Sequence, residues 1–182
     1  MNIFFDTEFT GLHKDTTLIS IGLVADDGKT FYAEFSDYDR SQVDDWIKEN
    51  VLAHLKFNDD PSKGTFGNLH DGNIEMYGTK ADIGASLRGW LSKYDSVQLV
   101  SDVCHYDMVL FIDLFGSAFD LPKRVCPACH DINQDIAEYW GKTESEAFDM
   151  SREKIAPPIQ GEKHNSLYDA KVIKAIYNYV HK

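Results

Sequence analysis

Apolar residues fall into short blocks separated by turn formers, and the first block begins almost at once. Asn2-Ile3-Phe4-Phe5-Asp6-Thr7-Glu8-Phe9-Thr10-Gly11-Leu12 reads as a buried strand running out into a loop. Polar residues 13–17 make a turn, and Leu18–Ala25 (LISIGLVA) is an apolar second strand. Residues 26–29 carry the Asp-Gly pair of a tight hairpin. Thr30–Phe35 then alternates, with Phe31, Ala33 and Phe35 on one side, so the first three strands form an antiparallel meander. Ser41 can cap a helix over 41–55, with Val43, Ile47, Val51 and Leu55 at helical spacing. Residues 56–78 are dense in Gly, Asn and Asp without periodicity and read as a long surface loop. Thr79 with Asp82 opens a helix striped by Ile83, Leu87, Trp90 and Leu91. A short strand over 97–100 leads into an apolar helix over 106–115, stopped by Gly116. A fifth strand is expected around Val125, then short helices, a Pro-rich loop over 156–163 and a final helix, Ser166–Val180. Strands followed by alternating helix and strand predict an α/β fold, one domain over 1–182.

Composition narrows the class. The 182 residues suffice for one core, and 43% hydrophobic residues with 13% aromatics describe an ordinary globular chain. A formal net charge of −12 disfavours a protein that grips long duplexes by neutralising phosphates. It leaves room for an enzyme that holds a few nucleotides through metal ions in an acidic pocket. Three cysteines argue against a disulfide framework and for a reducing, cytoplasmic setting. The apolar N-terminal run is too short and too acidic for a signal peptide, and no run is long enough to span a membrane.

Three acidic points carry the candidate chemistry. Asp6 and Glu8 share one face of the first strand, roughly 7 Å apart along it, while Phe5, Thr7 and Phe9 take the other. Two anions at the end of an apolar strand raise each other's pKa, and a hard divalent cation relieves that cost. Asp107 opens the mid-chain helix among Tyr106, Met108, Val109 and Phe111, where an unpaired carboxylate is expensive. Asp102, at the strand end before it, suits an exposed or helix-capping place. Asp169, with Ser166, fits a capping box at the start of the last helix, and His164 lies just upstream.

This ordered set, D-x-E in FFDTEFTGL, Asp107 in HYDMVLF, and His164 with Asp169 in HNSLYDA, resembles the DEDDh group of 3′–5′ exonucleases in the ribonuclease-H-like superfamily. The abrupt start, LISIGLVA and the HYD triplet are similar to the RNase AS-like small exoribonucleases. One departure stands at Val103, where the wider group usually carries Asn. The resemblance implies a three-layer ribonuclease-H-like fold, a mixed sheet of about five strands flanked by helices. It implies that Asp6, Glu8, Asp107 and Asp169 hold two Mg²⁺ or Mn²⁺ ions about 3.5–4 Å apart, with His164 as general base. It further implies that the stretch Thr7, Phe9, Thr10, Gly11 and Leu12 meets the terminal nucleotide, with Leu12 wedged against the base. The partner it implies is a single-stranded nucleic-acid 3′ end, RNA favoured over DNA, in a protein of a type that is often a homodimer. A single-strand DNA exonuclease and a catalytically silent end-binding domain stay open as alternatives. Cys126, Cys129 and His130 have the C-x-x-C-H spacing of haem attachment, but haem c needs export and a structural zinc needs a fourth ligand, so half-buried structural cysteines are expected.

Overall fold

In the computed structural model, which describes every residue except Asn58 and Ala156, a seven-stranded mixed sheet is sandwiched between helices. Its strands are β1 (Asn2–Phe9), β2 (Leu18–Ala25), β3 (Thr30–Phe35), β4 (Phe66–His70), β5 (Asn73–Gly78), β6 (Gln98–Ser101) and β7 (His130–Asp131), in spatial order β4-β5-β3-β2-β1-β6-β7. The helices are α1 (Asp45–Asn50), α2 (Lys80–Leu91), α3 (His105–Asp113), α4 (Ile132–Trp140), α5 (Glu144–Phe148), α6 (Arg152–Ile155) and α7 (Ser166–Val180). The expected antiparallel meander β1–β2–β3 is present, and β6 lies parallel to β1.

Neighbouring side chains of β1 serve opposite layers, as the pleat dictates. Ile3 and Phe5 enter the larger core with Leu87, Trp90 and Phe111 of α2 and α3. Phe4 enters the other, with Ile136 of α4 and Ile173 and Ile176 of α7. Every residue of β2 is buried, the pattern of a strand covered on both faces. Asp6 and Glu8 therefore fall on the α7 side of the sheet, in step with Phe4.

Several expectations need correction. The sheet has seven strands rather than about five: the short β7 pairs with β6 where no strand was expected, and 56–78 is not a bare loop but contains the β4–β5 hairpin, turning at Asp71-Gly72 with both φ positive. Its Asn58 lies outside the described residues, as does Ala156 at the head of the expected Pro-rich loop. The single helix over 41–55 is a 3₁₀ turn at Arg40–Gln42, α1, and a second 3₁₀ turn at Leu52–His54. Asp44, not Ser41, caps α1, its side chain accepting from the Ile47 N–H. Val125 forms an isolated bridge to Val97 instead of a strand.

Candidate active site

Asp6 and Glu8 reach one place because β1 carries them on one face, and α7 brings Asp169 down onto them. Gly22 makes that approach feasible. It stands opposite Asp6 in the β1–β2 register, and a Cβ there would lie 2.3 Å from the Leu167 backbone nitrogen. The first turn of α7 thus rests directly on β2, with the Ser166 and Ser20 hydroxyls 3.0 Å apart. The β1–β2 register jumps between Glu8 and Phe9, the kind of irregularity that re-aims side chains at a site. One carboxylate oxygen from each of Asp6, Glu8 and Asp169 lies within 4.8 Å of the others.

Asp107 arrives by another route. β6 pairs with β1 only as far as Phe4↔Val100, so the N–H of Thr7 has no strand partner on that side. The first turn of α3 supplies one: Asp107 Oδ1 accepts from Thr7 N at 3.0 Å and from the Thr7 hydroxyl, and Oδ2 accepts from Ser101 Oγ at 3.1 Å. Asp107 is buried and stands beside the other three carboxylates without joining their 4.8 Å group.

The electrostatic consequence is uniform in sign. Burial, then the neighbouring carboxylates Asp107, Glu8 and Asp169, holds Asp6 well above the usual carboxylate range. Glu8 is pushed up to about 8, by burial first and then by Asp169 and Asp107. Burial raises Asp169 to about 7 and Asp107 to about 6, the latter in spite of its three hydrogen bonds. Such a cluster of oxygen donors, all penalised as anions by burial and two of them, Asp6 and Glu8, also by the others, fits a hard divalent cation. A cavity of about 550 Å³ opens over it, walled by Phe9, Leu12, Tyr106, Arg152, His164 and Asp169 among others.

His164 stands in that wall in a left-handed backbone conformation (φ 64°), its N–H donating to Asp169 Oδ2 at 2.9 Å and its ring edge-on to Trp46, centroids 5.2 Å apart. Burial, followed by the nearby Lys163 and His54, lowers its pKa, which leaves the ring neutral and able to accept a proton at neutral pH.

This geometry has counterparts among known proteins. The model of the Rv2179c-like 3′–5′ exoribonuclease domain matches residues 1–181. The chain belongs to that exonuclease family. The 3′–5′ exoribonucleases Rv2179c and MT2234.1 of Mycobacterium tuberculosis are each 27% identical to it over 173 residues, 94% of this chain and 88% of theirs. The fold is shared with the nuclease domain of 3′hExo, a DEDDh family member bound to rAMP (TM-score 0.63, 16% identity, 99% of this chain and 90% of that one). It is shared too with a 3′-exonuclease solved in specific recognition of a histone mRNA stem-loop (TM-score 0.66, 15% identity, 99% of this chain and 62% of that longer one).

As an exonuclease of this family, the chain distributes the expected site residues unevenly. Asp6, Glu8, Asp107, His164 and Asp169 all border the one cavity. Of the stretch after the first motif, Phe9 and Leu12 line it; Phe9 stacks on Tyr106 at 5.4 Å, and Leu12 is 79% exposed. Thr7 lines it too, but its N–H and hydroxyl are committed to Asp107. Thr10 and Gly11 do not belong to the wall: Thr10 is buried, with its hydroxyl among Gln42, Thr16 and Thr17.

The N-cap of α7 is Asn165, accepting from Tyr168 N at 3.2 Å, rather than Ser166, whose hydroxyl is taken by Ser20. Asp169 reaches back to His164 instead of completing a capping box. Asp102 is neither exposed nor a cap: Arg152 grips it from Nε and Nη2 (Nη2–Oδ1 2.8 Å), and Asn133 donates to it at 2.9 Å. Arg152 also donates to the Ala147 and Met150 carbonyls, so the pair fastens the loop between α5 and α6 that forms one wall of the cavity. No local pattern marks this pair, whose members lie fifty positions apart. Cys104, Cys126 and Cys129 are free and half-buried.

Proposed function

We propose that this exonuclease is a metal-dependent exoribonuclease that removes nucleotides from single-stranded 3′ ends. The observation that carries the reading is the convergence of Asp6, Glu8 and Asp169 oxygens within 4.8 Å on the floor of a cavity that His164 overlooks. Asp6, Glu8 and Asp169 would hold a Mg²⁺ or Mn²⁺ ion, with Asp107 positioned to serve a second. Bound there, such ions acidify water and offset charge on the scissile phosphate. An imidazole nitrogen of His164 accepts the proton of the attacking water, which its depressed pKa permits at neutral pH. The Asp169 carboxylate, by taking the His164 N–H, fixes the backbone that aims the ring.

RNA as the substrate rests on the family and on the names of the M. tuberculosis relatives. Preference for single strands rests on the rim: Leu12, Val103 and Phe148 are exposed apolar side chains beside the cavity, suited to unstacked bases and not to a phosphate backbone. Free thiols agree with a cytoplasmic setting, and no described helix is long and apolar enough to cross a membrane.

Matched RNA and DNA oligomers of one sequence, single-stranded and blunt duplex, test the reading with Mn²⁺ and with excess EDTA. Mononucleotides should appear from the RNA single strand in Mn²⁺ alone. Faster release from DNA, or equal release from blunt duplex, would replace the RNA single-strand assignment; undiminished activity in metal-free EDTA would remove the metal.

A further inference from the structure

A second acidic residue is buried away from the cavity. Glu34, in β3, has 0% exposure and takes no part in the carboxylate cluster. All its partners are donors. Oε1 accepts from the Tyr32 hydroxyl at 2.6 Å and from the Lys56 N–H, and the Phe57 N–H lies 3.2 and 3.1 Å from the two oxygens. An acceptor-only carboxylate suits this set; a carboxamide would turn an NH₂ group onto one of the donors. Burying a carboxylate that has no ion-pair partner among the described residues is costly, which asks what the arrangement secures.

The backbone donors that hold Glu34 lead to the N-terminus of α7. The segment ending in Lys56 and Phe57 begins at His54, whose carbonyl accepts from Asn165 Nδ2 at 3.2 Å. The His54 ring meets Glu162 Oε2 at 2.6 Å, so the same segment also ties down the approach to His164. In β2, Ser20 pairs across from Glu34 and bonds Ser166. Asn165 is thus the meeting point, and it is the residue between His164 and the helix that carries Asp169.

We propose that Glu34, held by the Tyr32 hydroxyl, is a positioning residue for His164, acting through the 54–57 segment and Asn165. It touches neither the cavity nor its carboxylates. The inference rests on the reading of His164 as the proton acceptor. A merely structural Glu34 would change how much enzyme is folded; a positioning Glu34 changes how fast folded enzyme turns over.

The test uses Glu34→Gln and Tyr32→Phe, each alone and with His164→Ala. Thermal stability, kcat and KM on a short single-stranded RNA in Mn²⁺, and Mn²⁺ affinity by calorimetry, are read well below each melting temperature. Both single variants should lose about 10–100-fold in kcat, since a misplacement near 1 Å can cost 10²-fold. KM should stay within about twofold and Mn²⁺ affinity should be unchanged, because no metal-site carboxylate is altered. Added to His164→Ala they should cost little more, as groups acting through one residue are non-additive. Wild-type kcat in folded Glu34→Gln, or the same loss with and without His164, would overturn the proposal. Should Glu34→Gln not fold, Tyr32→Phe decides by the same criteria, since only a hydroxyl is removed. Near-normal turnover in His164→Ala alone would instead refute the proton-acceptor reading, and this inference with it.

Discussion

Replacing Gly22 by Ala should disable the enzyme without touching a reacting group. The added Cβ would stand 2.3 Å from Leu167 N and 2.4 Å from Leu167 Cα and the Ser166 carbonyl carbon. All three are backbone atoms, so no side chain can swing aside. Ordinary contact begins near 3.4 Å, so α7 must retreat by 3.4 − 2.3 = 1.1 Å or β2 must bend by as much. Overpacking of this kind costs about 1–3 kcal/mol of stability. Asp169 rides on the same turn of α7, and a displacement near 1 Å typically lowers turnover by about 10²-fold. Circular dichroism and a melting curve establish folding; kcat on single-stranded RNA and Mn²⁺ affinity by calorimetry read the site. The expected variant is folded, melts lower, binds Mn²⁺ more weakly and turns over about 10²-fold more slowly. Gly89→Ala is the control: it lies in α2 with open space at its Cβ, so it should gain about 0.5–1 kcal/mol and keep full activity. A folded Gly22→Ala with kcat within about twofold of wild type would refute the argument that α7 is seated by contact with β2.

Two further outcomes follow from the site's electrostatics. Because burial raises Glu8 to about 8, Asp169 to about 7 and Asp107 to about 6, the folded state holds more protons than the unfolded chain between about pH 4 and 8. Stability from these groups is complete below about pH 4 and lost as pH rises through the folded values; melting curves of wild type against Glu8→Gln isolate the share, and Mn²⁺ should raise Tm more at about pH 8 than at about pH 5. Equal Mn²⁺ shifts at both would refute the coupling. Asp107→Asn should abolish turnover but leave the fold intact, since its amide oxygen can accept from both Thr7 donors while its NH₂ donates to the Ser101 hydroxyl. Asp102→Asn should act oppositely, keeping most activity while costing about 1–3 kcal/mol by loosening Arg152. Turnover and Tm of both variants check it, and a dead but stable Asp102→Asn would reverse the assignment.

The meander, the helix order and the exonuclease motifs were legible because each is local: a period-2 block, an Asp-Gly turn, a carboxylate after an apolar run. The β4–β5 hairpin was missed although Asp71-Gly72 repeats the signal read at Asp27-Gly28. Its flanks, FGNLH and NIEMYG, lack alternation because β4 is an exposed edge strand with no buried face to impose it. Ser166 looked like a cap because its spacing to Asp169 is right; only the fold shows its hydroxyl spent on Ser20. The Asp102–Arg152 grip and the Glu34 hub are contacts between segments far apart in the chain, which no local pattern encodes.

The placement of Asp169 on α7 has a consequence for synthesis. Ribosomes deliver Asp6 and Glu8 first and Asp169 after β1–β7 and α1–α6, and the cluster does not exist until that residue has emerged and α7 has docked beside Gly22. A nascent or prematurely terminated chain lacking this helix therefore carries Asp6, Glu8 and Asp107 without the Asp169 that closes the cluster. The order of its parts leaves every unfinished copy of this exonuclease without its complete carboxylate cluster.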